Sequence, residues 1–87
     1  MHEASLMDDL MRKIQAVAQE QNASKVLAIS IKLGALSHMS AGHFREHFAV
    51  VSQGTIAEGA KLNIEALTDL SDPHAQQILL ESVEIAE

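Results

Sequence analysis

The first three residues, Met1, His2 and Glu3, bring together groups that can bind one metal ion. If translation leaves Met1 in place, the chain starts with a free α-amine, and an imidazole and a carboxylate follow on the next two residues. A suitable metal can also deprotonate the backbone amide nitrogens between them. Amine, amide and imidazole nitrogens can then surround a small cation in one plane, a geometry that Ni(II) and Cu(II) favour. The start of the chain is therefore a candidate metal site.

A second pair of possible ligands, His43 and His47, lies four residues apart in a segment that we predict to be helical. This spacing places both rings on one helix face, as in helices that supply two ligands to a metal. The residues between them are F-R-E, so the signature H-E-x-x-H is absent, although Glu46 is adjacent. The alternative interpretation, which we favour, is an exposed, solvated pair on the face opposite Phe44 and Phe48. His43 and His47 are therefore weaker metal candidates.

The remaining polar residues indicate no further site. His38 and His74 fall in predicted loops, where histidines are usually solvated, and Asp69 with Asp72 can at most bind a hard cation weakly. The chain has no cysteine, no glycine-rich phosphate loop and no serine in a nucleophile context. We therefore predict that the protein is not an enzyme.

Composition narrows the class of protein. A chain of 87 residues indicates a single domain over residues 1–87 with a small core, which can gain stability from a partner or a homodimer. Twelve acidic residues against six basic ones give a net charge of −6, which argues against nucleic acid binding. The absence of cysteine excludes disulfides and thiolate zinc sites. No apolar run approaches the about 18 residues that span a membrane, so the expected location is the cytoplasm.

The first predicted helix runs from Ser5 to Gln21, because apolar residues recur there at spacings of three and four. Ser5 and Asp8 resemble a capping box, which would leave His2 and Glu3 just before the helix. Four further elements and a loop follow: a strand over 25–33, a helix over about 40–52, a strand over 61–67, a polar loop over 68–77 and a strand over 78–86.

Alternation within the strands predicts which residues face the core. In the first strand Leu27 shares a face with Ile29, and in the second Ala66 is expected inward. The third strand alternates imperfectly, because Ile78 and Val83 fall on opposite faces, and a β-bulge would correct its register. The order α-β-α-β-β predicts an α+β two-layer sandwich, with two helices packed on one face of a three-stranded sheet.

Four segments, taken together and in order, carry a resemblance to a known family. They are M-H-E-A-S-L at 1–6, L-G-A-L-S at 33–37, V-V-S-Q-G-T-I-A-E-G-A-K-L at 50–62 and E-S-V-E-I-A-E at 81–87. The chain resembles the HypA/HybF family, the nickel metallochaperones of hydrogenase and sometimes urease maturation. That family normally carries a zinc module with two Cys-x-x-Cys pairs between its second and third strands. Here the short loop at about 68–77 stands in its place, so no structural zinc is expected.

The resemblance implies a function and a site. It implies Ni(II) binding at Met1, His2 and Glu3, with His2 as the main side-chain ligand, and delivery to a GTPase metallochaperone or to the hydrogenase large subunit. Protonation of the amine and imidazole would release the metal at low pH. The alternative is a metal-independent adaptor that keeps the fold and uses its exposed sheet edges for protein contacts.

Overall fold

The computed structural model describes the backbone of residues 2–37 and 39–86, and the side chains within these ranges from Leu6 onward. Two helices and three strands make up this part of the chain, in the order α-β-α-β-β that the sequence predicts. They are α1 (His2–Glu20), β1 (Lys25–Leu33), α2 (Ala41–Val51), β2 (Lys61–Ala66) and β3 (Ile78–Ala86). The predicted α+β class is confirmed.

The three strands form one mixed sheet in the order β2-β1-β3. The central strand β1 pairs in parallel with β2, placing Ile29 beside Leu62 and Ile31 beside Ile64. It pairs antiparallel with β3 on its other side. The parallel pair requires a crossover connection, and α2 provides it. Both helices therefore pack against the sheet, and both outer strands are sheet edges.

Helix α1 begins at His2, three residues earlier than predicted. His2 and Glu3 thus lie in its first turn and not before it, and Ser5 does not mark its start. The physical reason is that the opening residues favour a helix: Ala4 has the highest helix propensity, and an acidic residue in the first turn is favoured by the helix dipole. Helix α1 ends at Glu20, one residue before the predicted end, and Asn22 follows with a left-handed φ of 54°.

Helix α2 matches its predicted bounds. Ser40 is the N-cap, and its hydroxyl accepts a hydrogen bond from the backbone N–H of His43 at 3.1 Å. Ser52 is the C-cap, and Gly54 follows with a φ of 76° that glycine adopts without a steric penalty. The cap therefore fixes the first turn of α2, in which His43 lies.

One apolar core lies between the helices and the sheet. The rings of Phe44 and Phe48 are stacked with their centroids 5.9 Å apart, and both are buried. Met7 and Met11 of α1 are also buried. Further buried members of the same cluster are Leu10, Ile14, Ala18, Val26, Ile29, Ile31, Leu33, Met39, Ala57 and Ile78.

Two register shifts decide which strand residues reach this core. In β1 the pairing with β3 shifts between Val26 and Ala28, so Leu27 is bulged outward and is 47% exposed. The predicted inward orientation of Leu27 is therefore wrong. In β3 the pairing skips Glu81, and this bulge brings Ile78 and Val83 against the same core. The bulge that the imperfect alternation of the third strand indicates is confirmed.

The outer face of the sheet is polar. Lys32 forms an ion pair with Glu81 at 3.1 Å, and the hydrogen bond to this carboxylate, followed by its charge and that of Glu65, raises the pKa of Lys32. Ala66 is exposed, contrary to its predicted inward position, because it is the last residue of the edge strand β2.

The loop between β2 and β3 is anchored to the end of β1. The N–H of Gly34 donates to the carbonyl of Gln77 at 2.9 Å, and the N–H of Leu36 donates to the carbonyl of Ala75 at 2.6 Å. Helix length and apolarity give no candidate membrane span within residues 2–37 and 39–86.

Candidate metal centre

The two helices begin at the same end of the fold. A short turn joins the end of α1 to the start of β1, and the N–H of Val26 donates to the carbonyl of Ile56, just after α2, at 3.0 Å. The C-terminal ends of both helices therefore lie near the start of β1. Their N-termini lie at the opposite end, near Leu33, where the loop between β2 and β3 is also anchored.

The predicted ligands at the start of the chain belong to this end. The backbone of His2 and Glu3 forms the first turn of α1. The N–H groups of the first four residues of a helix have no acceptor within the helix, so these amides are available to another partner. Met1 and the side chains of His2 and Glu3 lie outside the described parts of the chain, and the predicted ligand set stays a prediction.

The structure brings His43 and His47 into direct contact. Their Nε2 atoms are 3.0 Å apart, and their ring centroids are 4.6 Å apart in an edge-to-face arrangement. Both side chains are half-buried. The favoured interpretation as an exposed, solvated pair is therefore wrong. The reason is geometric, because each histidine directly precedes a buried phenylalanine and lies about 100° from it around the helix, beside the core and not opposite to it.

An open surface pocket adjoins the two rings. Its lining consists of the two histidines, the exposed Glu46, and Val50 and Val51 of the next turn. Among the residues that the structure describes, no group of three or more His, Asp or Glu side chains is arranged to hold a metal ion. The pair can therefore offer two imidazole ligands and leave other positions to water.

The polar residues of the loop at 68–77 form turns. Asp69 accepts hydrogen bonds from the N–H and the hydroxyl of Ser71 at 3.0 and 2.8 Å, and Asp72 accepts one from the N–H of His74 at 2.8 Å. Nδ1 of His74 lies 3.1 Å from Oε1 of Gln77. These carboxylates thus accept hydrogen bonds from nearby residues and stabilise turns of the exposed loop. His38 lies outside the described residues.

Comparison with known protein families shows which family the chain belongs to. A model described as "Hydrogenase/urease nickel incorporation, metallochaperone, hypA" matches residues 1–70, most of the chain. The chain belongs to the HypA family. The resemblance of its segments to HypA/HybF proteins is confirmed, and the family description is that of a metallochaperone and not of a catalyst.

Two curated HypA relatives illustrate the extent of the match. The hydrogenase maturation factor HypA of Desulfitobacterium hafniense (strain DSM 10664 / DCB-2) is 39% identical over 67 residues, which cover 77% of this chain and 59% of that protein. The HypA of Pyrococcus horikoshii is 42% identical over 65 residues, covering 75% of this chain and 47% of its own length. The chain thus aligns with about half to three fifths of these relatives.

The architecture is that of a HypA structure as well. The solution structure of the Ni metallochaperone HypA from Helicobacter pylori superimposes with a TM-score of 0.78 at 17% sequence identity. The alignment covers 99% of this chain and 98% of the other. At this identity the likeness establishes the fold.

Proposed function

We propose that this HypA family member binds Ni(II) through Met1, His2 and Glu3 and delivers it to a partner during maturation of a nickel enzyme of the hydrogenase type. The observation that carries the proposal is the family match, which includes these three residues. Nickel is cargo in this function, so the protein needs a site that holds the ion and releases it, and no catalytic group.

The position of His2 at the start of α1 supports this chemistry. Its N–H and that of Glu3 have no acceptor in the helix, so metal binding to these nitrogens breaks no helical hydrogen bond. A deprotonated amide is negatively charged, and negative charge is stabilised at a helix N-terminus. The α-amine of Met1 and the imidazole of His2 complete a planar set of nitrogens, the arrangement suited to Ni(II).

Release follows from the same ligands. Imidazole, amine and amide nitrogens bind a metal only when deprotonated, so acid competes with nickel at each of them. A site on the first turn of a helix also requires no enclosed cavity. A partner can therefore exchange its ligands for those of the chaperone one at a time. We propose that the partner is a GTPase metallochaperone or the hydrogenase large subunit.

We further propose that the loop at about 68–77 replaces the zinc module of the family within a single domain at 1–87. The family match ends at residue 70, inside this loop, and the chain has no cysteine to provide thiolate ligands. The loop is anchored to β1 by the hydrogen bonds of Gly34 and Leu36, which support β3 joining the sheet without an inserted module.

Nickel delivery is tested in a host whose own HypA has been removed, with hydrogenase activity as the measurement. We expect the wild-type chain to restore activity and His2→Ala to lose most of it, with His74→Ala as the control for an unrelated histidine. Both variants must accumulate to wild-type levels.

The rival function, a metal-independent adaptor, is favoured by the two edge strands β2 and β3, which offer unpaired backbone groups to another chain. Recovery of the same partner by wild type and His2→Ala, together with equal hydrogenase activity, would support the adaptor and reject nickel delivery by this site.

A further inference from the structure

The contact between His43 and His47 has the dimensions of a pair of metal ligands. Bonds from transition metals such as zinc to imidazole nitrogen measure about 2.0–2.1 Å, so two ligands at a right angle lie about 2.8–3.0 Å apart and two tetrahedral ligands about 3.3–3.4 Å apart. The two Nε2 atoms are 3.0 Å apart and share a hydrogen bond, so a metal ion binds here by displacing the proton between them. They therefore have the separation of two adjacent ligands in square-planar or octahedral coordination, and a tetrahedral ion requires a widening of a few tenths of an ångström.

The helix holds the two rings in this arrangement. Residues four apart on a helix are neighbours on its surface, and the N-cap Ser40 fixes the turn that carries His43. Both rings are half-buried beside the core stripe of Phe44 and Phe48, which restricts their rotation. A pair held in place before the metal arrives loses less conformational entropy on binding than two freely rotating side chains.

We propose that His43 and His47 form a second site for a divalent transition metal ion, separate from the start of the chain. Both imidazoles bind through Nε2, and water occupies the remaining positions. Imidazole ligands suit Zn(II), Cu(II) and Ni(II). The site requires no free amine, and it stands whether or not the N-terminal site binds nickel.

The pair lies at one end of the fold. α1 and α2 begin at the same end of the molecule, so the pair lies in the first turns of α2 at the end where α1 starts. Two imidazoles bind an ion less tightly than a planar set of four nitrogens. The pair is thus a weaker, faster-exchanging site that captures metal at this end of the protein.

The test uses the 87-residue chain carrying His2→Ala, which removes the proposed N-terminal ligand. Diamagnetic Zn(II) is added while the ring nitrogens of all histidines are followed by two-dimensional ¹H–¹⁵N NMR. We expect the Nε2 signals of His43 and His47 to change together and to saturate at one equivalent, while those of His74 stay unchanged. Changes confined to His74, or none at any ring, would overturn the proposal.

Two further variants in the same background separate ligand loss from misfolding. We expect His47→Gln to weaken Zn(II) binding at least ~10-fold, while the matched control His74→Gln leaves it unchanged; tenfold corresponds to about 1.4 kcal/mol. Circular dichroism of each variant establishes that α2 is retained. Equal Zn(II) affinity in a folded His47→Gln variant would contradict the site.

Discussion

The backbone of Gly34 lies directly against the carbonyl of Ala75. A Cβ atom on Gly34 would collide with this carbonyl oxygen and lie 2.6 Å from its carbon and 2.7 Å from the carbonyl oxygen of His74. Gly34 directly follows the last residue of β1, and Ala75 lies in the loop that precedes β3. This close approach allows the short loop to reach β1 and lets β3 enter the sheet.

We expect Gly34→Ala to destabilise the protein by about 1–3 kcal/mol, the usual cost of overpacking, because backbone and not a flexible side chain must move. The matched control is Gly42→Ala in α2, where an added Cβ meets no atom of the described chain within 4 Å. Alanine there should stabilise by about 0.4–1 kcal/mol, because it reduces the conformational entropy of the unfolded chain at a position whose helical backbone alanine can adopt. Urea unfolding measures both. If Gly34→Ala leaves the free energy of unfolding unchanged, the loop does not need this close approach to Gly34.

The cap of α2 should matter for both stability and metal binding. Ser40→Ala removes the acceptor for the N–H of His43 and should cost about 1 kcal/mol in urea unfolding, whereas Ser40→Asp keeps an acceptor and should cost little. Because fraying of the first turn separates the ring of His43 from that of His47, Ser40→Ala should also weaken Zn(II) binding at the pair. Unchanged stability in Ser40→Ala would contradict the role of Ser40 as the N-cap that stabilises α2.

Because of the bulge in β1, we expect truncation of Ile29 and truncation of Leu27 to lower the free energy of unfolding by different amounts. Ile29→Ala should cost about 2–5 kcal/mol, because Ile29 is fully buried in the core. Leu27→Ala should stay within about 0.5 kcal/mol, because the bulge leaves that side chain 47% exposed. Thermal or urea unfolding distinguishes them, and equal losses would place Leu27 in the core.

The pKa of Asp69 should lie below its ordinary value in the folded protein, because its carboxylate accepts hydrogen bonds from the hydroxyl and then the N–H of Ser71. A carboxyl with a lowered folded pKa stabilises the fold above its unfolded pKa, and this contribution is lost as pH falls through the folded value. NMR titration of the side-chain carboxyl should show Ser71→Ala raising the pKa of Asp69. An identical titration in both proteins would exclude the hydroxyl as the main cause.

The order of elements could be predicted because periodicity reports local structure. The alternation of β1 and the cap at Ser40 define their elements within a residue or two. The bulge at Leu27 could not be predicted, because it depends on how β1 pairs with β3 over 50 residues away. The same reason hides the contact of Gly34 with Ala75, since glycine at a strand end is also compatible with an ordinary turn.

The candidate sites also differ in how much of each could be predicted from the sequence. The spacing of His43 and His47 predicts that they share a helix face. The contact between their rings could not be predicted from spacing, because it also depends on how α2 packs on the core. The residues Met1, His2 and Glu3 were identified from their chemistry and from the family resemblance, and their ligand role stays a prediction.

The most direct test is a calorimetric titration of Ni(II) near neutral pH into the chain with no residue before Met1, beside His2→Ala. We predict a high-affinity one-to-one step in the wild-type chain, distinct from the weaker binding proposed at His43 and His47. In the variant we predict that this step loses at least about 100-fold in affinity. Retained nickel affinity in a folded His2→Ala would contradict nickel binding at Met1, His2 and Glu3.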